Sequence, residues 1–331
     1  MTKRRARSFR PRHRRHLREV GITAKTRTRY RNCVRNFFHY LRDMNRVFPS
    51  SPEHLDFELA EYINHLWEDD HPEGVAADTL SGLRRLLPAC RNKLPTSVFY
   101  FQNWRRSVHR VRALPITSVA IKGLAGLCYF RNRPDLAAML LLGFTALLRT
   151  SELLYLRHSN ILVFPQHSRA IVILPHSKSG SRFNITEKVV ITDPYVINAL
   201  LLARPSTQGD ADDRLYRKTP SNFGAELREL GGLVGLPTQR LTPYSLRRGG
   251  ATWHFSKYGQ LSRTTLLGRW QNERTARIYI DQALAEQTLW SLSSRAAARP
   301  ALGSQVASSL LQHPPEIGRL MLSQHRGGSC A

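Results

Sequence analysis

Two arginines stand directly before two glycines in the stretch TPYSLRRGGATWHF, residues 242–255. Arg247 and Arg248 carry planar guanidinium groups that donate hydrogen bonds in pairs, a geometry suited to phosphate oxygens. Gly249 and Gly250 lack a Cβ atom, so another stretch of backbone can approach them closely. The combination predicts an anion-binding site whose other members lie elsewhere in the chain.

Cutting a phosphodiester bond without a metal requires a nucleophile, cationic donors to the non-bridging oxygens and an acid for the leaving oxygen. Arginine suits the donors because it stays charged, and lysine suits the acid because its pKa is readily lowered. Tyrosine suits the nucleophile if the reaction must be reversible. Its product, an aryl phosphodiester, is similar in energy to the bond that was cut. The chain holds a candidate for each role: Arg149, Lys178, Tyr244, Arg247, Trp270 and Tyr279.

Each candidate also has an ordinary structural explanation. Arg149 could pair with Glu152, which lies three residues later on the same helix face. Lys178 could be a solvated turn residue, and Tyr279 a core aromatic. We expect Trp270 both to pack the site and to direct its indole N–H at phosphate.

The neighbouring basic and polar residues receive less specific predictions. Tyr244 is predicted to contact phosphate, with a packing role as the alternative. Arg248 is expected to face either a backbone phosphate or an acidic side chain. DNA-facing or structural roles are expected for Arg269, His254 and His176.

The charge of the chain points to a polyanionic partner. Fifty Lys and Arg residues against 24 Asp and Glu give a formal net charge of +26 and a pI near 11.0. Nucleic acid is the first candidate partner and an anionic membrane surface the second. The longest apolar run, LAAMLLLGFTALL at residues 136–148, is too short to span a bilayer and predicts a buried helix.

Cysteine and histidine spacing gives no indication of a metal site. The cysteines are far apart in the sequence, and the histidines show no metal-binding spacing beside an acid. We therefore expect reduced thiols, no bound metal, no cofactor and an intracellular protein.

The order of sequence patterns predicts four parts. Residues 1–22 form a basic arm, with nine Lys or Arg among the first eighteen residues. Such a segment is disordered when free and is expected to lie on nucleic acid, with an import signal or a solubility tail as alternatives. Residues 23–112 show the periodicity of four short helices, most with a basic face. Residues 113–295 are mixed, and residues 296–331 form a flexible tail with one amphipathic piece, SQVASSLLQH.

Within the mixed part, the pattern changes from helix to strand and back. The β-branched runs AIVILP at residues 170–175 and EKVVIT at residues 187–192 predict two strands, and the turn between them carries Lys178. Helices are predicted from Pro194, around Phe223 and again at Leu246.

The candidate array resembles the tyrosine recombinases, the phage-integrase family of DNA breaking-rejoining enzymes. That family uses Arg, Lys, His-x-x-Arg, His or Trp, and Tyr, in this order. Tyr279 lies 32 residues after Arg247 and 9 after Trp270, and Lys178 lies 29 after Arg149, intervals similar to those of the family.

Further matches extend the resemblance. Glu152 has the position of the acid that follows the first arginine of the family, and the Ser-Lys-Ser-Gly turn resembles its β-hairpin tip. The resemblance is strong over residues 118–295 and extends to residues 23–112, which look like the helical core-binding domain. The version PYSLRRGG is more similar to recombinases of eukaryotic mobile elements than to bacterial ones.

One position departs from the family pattern, because Tyr244 stands where most members have histidine. A phenol donates a hydrogen bond but, with an ordinary pKa of about 10, is a poor base at neutral pH. The departure favours slower or differently tuned chemistry. It also leaves open a DNA-binding relative that has lost its chemistry.

The resemblance implies an α+β, mostly helical fold. A helical core-binding, SAM-like domain and a mixed α/β catalytic domain with a small antiparallel sheet would form a C-shaped clamp around double-stranded DNA.

The resemblance also implies a 3′-phosphotyrosyl link formed by Tyr279, with Lys178 as general acid, and a homotetramer on two DNA sites. No membrane or small-molecule partner is implied. The protein would act with DNA in the nucleus of a eukaryotic host, or otherwise in the cytoplasm or nucleoid. A type IB topoisomerase-like enzyme that relaxes DNA as a monomer is the remaining alternative.

Overall fold

The computed structural model describes residues 21–108, 111–175, 186–204 and 212–290, together with positions 305, 308, 309 and 312. The chain divides into two compact units, Met1–Arg110 and Val111–Ala331. The predicted basic arm up to residue 20, the turn with His176 and Lys178, and most of the predicted tail lie outside the described residues.

The first unit is built from the four predicted helices. They are α1 (Ala24–Asp43), α2 (Pro52–Glu68), α3 (Glu73–Leu86) and α4 (Pro95–Ser107). Thr23 and Ser51 cap the first two helices with their hydroxyl groups, which accept N–H groups of the first turn. The predicted apolar stripes of α1 and α2 supply the core of this unit, because spacing of three and four residues places those side chains on one face.

The second unit contains nine described helices and three strands. The helices are α5 (Ser118–Phe130), α6 (Pro134–Thr145), α7 (Thr150–Leu154), α8 (Pro194–Leu202), α9 (Pro220–Leu233), α10 (Tyr244–Tyr258), α11 (Leu261–Leu267), α12 (Glu273–Arg277) and α13 (Gln282–Trp290). Helix α6 is buried from Leu136 to Phe144, as its apolar sequence predicts. It forms the centre of the main core of the unit, against α5, α8 and α10.

The strands form one small antiparallel sheet in the order β1–β2–β3, with β1 at Ile161–Phe164, β2 at Arg169–Leu174 and β3 at Glu187–Ile191. The two predicted strands are confirmed as β2 and β3. Strand β1 was not predicted. An apolar run of four residues is too short to show whether its periodicity is that of a strand or of a helix. The predicted fold class, mostly helical with a small antiparallel sheet, is confirmed.

Helix α10 approaches the backbone of two other segments at its paired glycines. A Cβ atom on Gly249 would lie 2.1 Å from the carbonyl oxygen of Ile116, and one on Gly250 would lie 1.9 Å from that of Phe144. Both distances are far below van der Waals contact, so only glycine fits at these positions. The predicted close packing is confirmed, and it brings Arg247 next to the end of α6.

A network of ion pairs connects the start of α6 to α9. Arg133 contacts Asp135 at 2.8 Å and Glu226 at 2.9 Å, and Glu226 also accepts hydrogen bonds from Lys218 and Tyr216 at 2.5 Å each. Burial alone would raise the pKa of Glu226, but these donors lower it to about 2. The network therefore stabilises the charged form of Glu226 in the folded state.

Among the helices that the structure describes, none is both long and apolar enough to cross a membrane.

Candidate active site

Arg247 lies at the centre of the candidate site and is 1% exposed. Its guanidinium donates hydrogen bonds to the carbonyl oxygens of Leu147 and Gly268, the second at 2.6 Å. Its Nε is buried without a hydrogen-bond partner among the described residues, and no described carboxylate forms a salt bridge with it. Burial, followed by the charges of Arg149 and Arg269, lowers the pKa of Arg247 to about 10.

Two aromatic rings lie beside this guanidinium, and a third ring lies next to one of them. The Cζ atom of Arg247 lies 4.5 Å from the ring centre of Trp270 and 5.3 Å from that of Tyr279. The ring of Tyr279 lies 4.6 Å from Trp270 and 5.3 Å from Tyr244. Cation–π attraction contributes to holding this arginine, with which no described carboxylate forms a salt bridge.

The hydroxyl of Tyr244 donates a hydrogen bond to the hydroxyl of Tyr279. Burial and this hydrogen bond raise the pKa of Tyr244. Burial acts in the same direction on Tyr279, but the neighbouring Tyr244 hydroxyl, the Trp270 indole and the Arg247 charge outweigh it and lower the pKa of Tyr279. Of the two phenols, Tyr279 therefore ionises more readily, which is the property that a nucleophile needs.

Arg149 caps the start of α7 together with Glu152. The carboxylate of Glu152 accepts the backbone N–H of Arg149 at 2.9 Å and its guanidinium at 2.5 Å. Burial would raise the pKa of Glu152, but Arg269 and the contacts from Arg149 lower it. The predicted pairing of Arg149 with Glu152 is present, and it orients Arg149 near Arg247.

Arg269 belongs to this cluster, although only a DNA-facing or structural role was expected for it. Its Nη2 lies 2.7 Å from Glu152 Oε2, and its Nε lies 3.4 Å from Oε2 of Glu187, the first residue of β3. Its backbone has a φ of 55°, in the left-handed region. The position directly before Trp270 was the only sequence signal for Arg269. Glu187 had none, because its contact with Arg269 is long-range.

The remaining basic candidates have structural partners. Arg248 contacts Asp281 at 2.6 Å and the carbonyl oxygen of Ala113 at 2.7 Å, so of its two predicted partners the acid is the one observed. His254 is buried, and its Nδ1 lies 2.8 Å from Thr264 Oγ1, which makes it structural.

Five of the six predicted residues thus lie in one unit and influence one another. Arg247, Trp270 and Tyr244 contact Tyr279 directly, and the charge of Arg149 acts on the pKa of both Arg247 and Tyr244. Lys178 lies outside the described part of the chain.

The cluster carries an excess of positive charge. In the described segments, the carboxylate of Glu152 contacts Arg149 and Arg269, that of Glu187 contacts Arg269, and neither forms a salt bridge with Arg247. In the same segments, no group of three His, Cys, Asp or Glu side chains could hold a metal ion. A cationic cluster beside an ionisable phenol is chemically suited to an anionic electrophile such as a phosphodiester.

No protein-family model matches this chain, and no curated protein matches it significantly. Several solved structures resemble it over most of its length, among them the following two. One is the XerH site-specific recombinase bound to a palindromic difH substrate in a post-cleavage complex, with a TM-score of 0.51, 15% identity, and coverage of 81% of this chain and 80% of that chain. The other is the Tn1549 transposon integrase in complex with transposon right end DNA, with a TM-score of 0.52, 11% identity, and coverage of 86% and 95%.

The chain therefore has the fold of the tyrosine recombinases and integrases, which confirms the predicted resemblance at the level of fold. At these identities the likeness extends to the fold alone.

Proposed function

We propose that this chain is a tyrosine-type DNA strand transferase, a site-specific recombinase or integrase that cuts and rejoins duplex DNA. The observation that carries the proposal is the contact of Tyr279 with a buried arginine, Arg247, that has no described carboxylate partner. A buried cation without a counter-charge is costly unless a ligand supplies the charge. A phosphate next to Tyr279 would supply it.

In the proposed reaction, Tyr279 attacks the scissile phosphate and forms a 3′-phosphotyrosyl link. Arg247, Arg149 and the Trp270 indole stabilise the charge on the non-bridging oxygens in the transition state. Lys178 acts as the general acid that protonates the departing 5′ oxygen. This assignment rests on the position of Lys178 in the sequence. A free 5′ hydroxyl of a partner strand then reverses the step.

Tyr244 has a distinct role in this proposal. Because its pKa is raised, it is a poor proton acceptor at neutral pH. Its hydrogen bond to Tyr279 instead favours the tyrosinate form of the nucleophile, which replaces one function of the family's histidine.

Double-stranded DNA is the proposed partner. The net charge of +26 supports it, as does the binding of DNA by the XerH recombinase and the Tn1549 integrase in their structures. Residues 23–112 are proposed as the core-binding domain and residues 113–295 as the catalytic domain. We further propose a homotetramer on two DNA sites, because two duplexes require four cuts, and action in the compartment that holds the DNA.

A covalent adduct tests this proposal directly. The substrate is a nicked duplex whose short 5′ fragment diffuses away after cleavage, and the reaction contains excess chelator. The protein should accumulate as an adduct linked through a 3′ phosphate to Tyr279. The adduct should disappear in Tyr279→Phe, which removes one oxygen and little volume, and persist in the matched control Tyr258→Phe.

The pattern of products separates the alternatives. An adduct on Tyr258 or through a 5′ phosphate would contradict the assignment of the nucleophile. Relaxation of a supercoiled plasmid by a monomer, without exchange of strands, would indicate a type IB topoisomerase-like enzyme. DNA binding without an adduct on any substrate would indicate a relative that has lost its chemistry.

A further inference from the structure

One stripe of α10 holds the backbone segment that carries Tyr279. Arg248, Thr252 and Ser256 follow one another at intervals of four, so they lie on one face of the helix. Arg248 forms its ion pair with Asp281, and Ser256 Oγ accepts a hydrogen bond of 2.7 Å from the side chain of Gln282. The residues just after the tyrosine are therefore connected to α10 at both ends of the stripe.

Thr252, in the middle of the stripe, contacts the backbone of the segment itself. Its hydroxyl accepts the N–H of Asp281 at 3.1 Å and lies 3.3 Å from the carbonyl oxygen of Tyr279. It also lies 3.0 Å from the carbonyl oxygen of Arg248, so its single proton is shared between two acceptors. Thr252 is 4% exposed, and water therefore competes little for these contacts.

The adjacent face of the same helix contacts the ring of the tyrosine. Tyr244 and Arg247, three residues apart, meet the hydroxyl and the face of Tyr279. Helix α10 thus holds both the ring and the backbone of a residue that lies between the short helix α12 and α13. Rigid attachment to one helix maintains reacting atoms in line, and a displacement of about 1 Å is enough to slow a reaction severely.

We propose that Arg248, Thr252 and Asp281 form a latch that positions Tyr279 for attack on phosphate. This inference rests on the proposed role of Tyr279 as the nucleophile. In it, Thr252 and Arg248 are positioning residues that act through Tyr279 and make no contact with the DNA.

The test compares two substitutions at one position. Thr252→Val retains the shape of the side chain and removes the hydroxyl, whereas Thr252→Ser retains the hydroxyl. Thr79→Val in the first unit is the matched control, because Thr79 is also buried and its hydroxyl also donates to the carbonyl oxygen four residues earlier, at 2.8 Å. Three quantities are measured: the single-turnover rate of adduct formation, the Kd for duplex DNA, and amide hydrogen exchange of residues 277–282 in the free protein.

Thr252→Val should slow adduct formation about tenfold, the effect of one lost hydrogen bond, at an unchanged Kd. The amide of Asp281 should exchange about tenfold faster. Thr252→Ser and Thr79→Val should behave as the parent. If Thr252→Val forms the adduct at the parent's rate, the latch is overturned. Equal losses of rate in Thr252→Val and Thr252→Ser would also overturn it, because they would indicate an effect of side-chain packing.

The exchange measurement keeps this inference separate from the proposed function. If the parent forms no adduct, the proposed function fails, and exchange alone decides the latch. Faster exchange in Thr252→Val than in Thr252→Ser would then support the latch, and equal exchange would overturn it.

Discussion

Two clusters of charged residues in the second unit, one around Glu226 and one around Tyr279, differ in how their positive charges are balanced. Around Glu226, Arg133 contacts two carboxylates at 2.8 and 2.9 Å. Around Tyr279, Arg247 contacts two carbonyl oxygens and two aromatic rings. The first cluster completes its ion pairs within the chain, whereas the second retains a cation whose counter-charge the described residues do not supply.

The pKa shifts of the two clusters show the energetic consequence. Favourable contacts hold the pKa of Glu226 at about 2, so its charged form stabilises the fold. Burial and like charges lower the pKa of Arg247 to about 10, so its charged form is held at a cost. The difference supports the proposal that the second cluster binds an anion, whereas the first cluster stabilises the fold.

The largest expected effect comes from exchanging arginine for an uncharged side chain in each cluster. Arg247→Met should reduce the rate of adduct formation by about a thousandfold, because a donor to the transition state is lost, while Tm stays unchanged or rises. Arg133→Met should lower Tm and leave the rate per folded molecule unchanged. Thermal unfolding and single-turnover assays of both variants provide the check. A lower Tm in Arg247→Met than in Arg133→Met would reverse the comparison.

Lys178 tests whether the cationic site also contains a proton donor. Lys178→Ala should slow cleavage about a hundredfold on ordinary DNA, the magnitude expected for loss of a general acid. On a substrate whose bridging 5′ oxygen is replaced by sulfur, which leaves with little protonation, it should recover most of its activity. Arg149→Ala should not recover. Recovery of both variants, or of neither, would remove the acid role from Lys178.

A smaller effect is expected from Glu226→Gln, which removes one charge from the balanced cluster. The variant should lose about 2–3 kcal/mol of stability at pH 7, since a carboxylate with a pKa near 2 in the folded state has an ordinary value of about 4.3 when unfolded. This stabilisation is present above about pH 4.3 and is lost as the pH falls toward 2. Urea unfolding of both proteins at pH 7 and pH 3 measures it. A difference that did not narrow at pH 3 would contradict the assignment.

The smallest predicted effect concerns the hydrogen bond between the two phenols. The rate of adduct formation should rise with pH with a midpoint below pH 10, because the pKa of Tyr279 lies below its ordinary value. Tyr244→Phe should move the midpoint upward, because the hydrogen bond that lowers the pKa of Tyr279 is lost. Tyr244→His should retain or increase the rate. If Tyr244→Phe leaves the midpoint in place, Tyr244 only packs against the site.

Much of the fold could be predicted because local sequence patterns carry it. The apolar stripes predicted the helices of the first unit, the β-branched runs predicted β2 and β3, and the paired glycines of α10 predicted a close backbone approach. The order and intervals of six residues indicated the tyrosine recombinase fold. Their catalytic roles stay predictions.

What the sequence by itself determined was which residues are available for chemistry and which helices and strands carry them. Only the tertiary structure decided the partners: Arg269 and Glu187 in the cationic cluster, Asp281 as the acid that Arg248 contacts, and Tyr244 as the hydrogen-bond donor to Tyr279. The last pair lies 35 residues apart. Periodicity and turn chemistry act over a few residues, whereas these contacts depend on how α10, α11 and the segment after α12 pack. Which of the described arginines pairs with a carboxylate of the chain is therefore decided by packing.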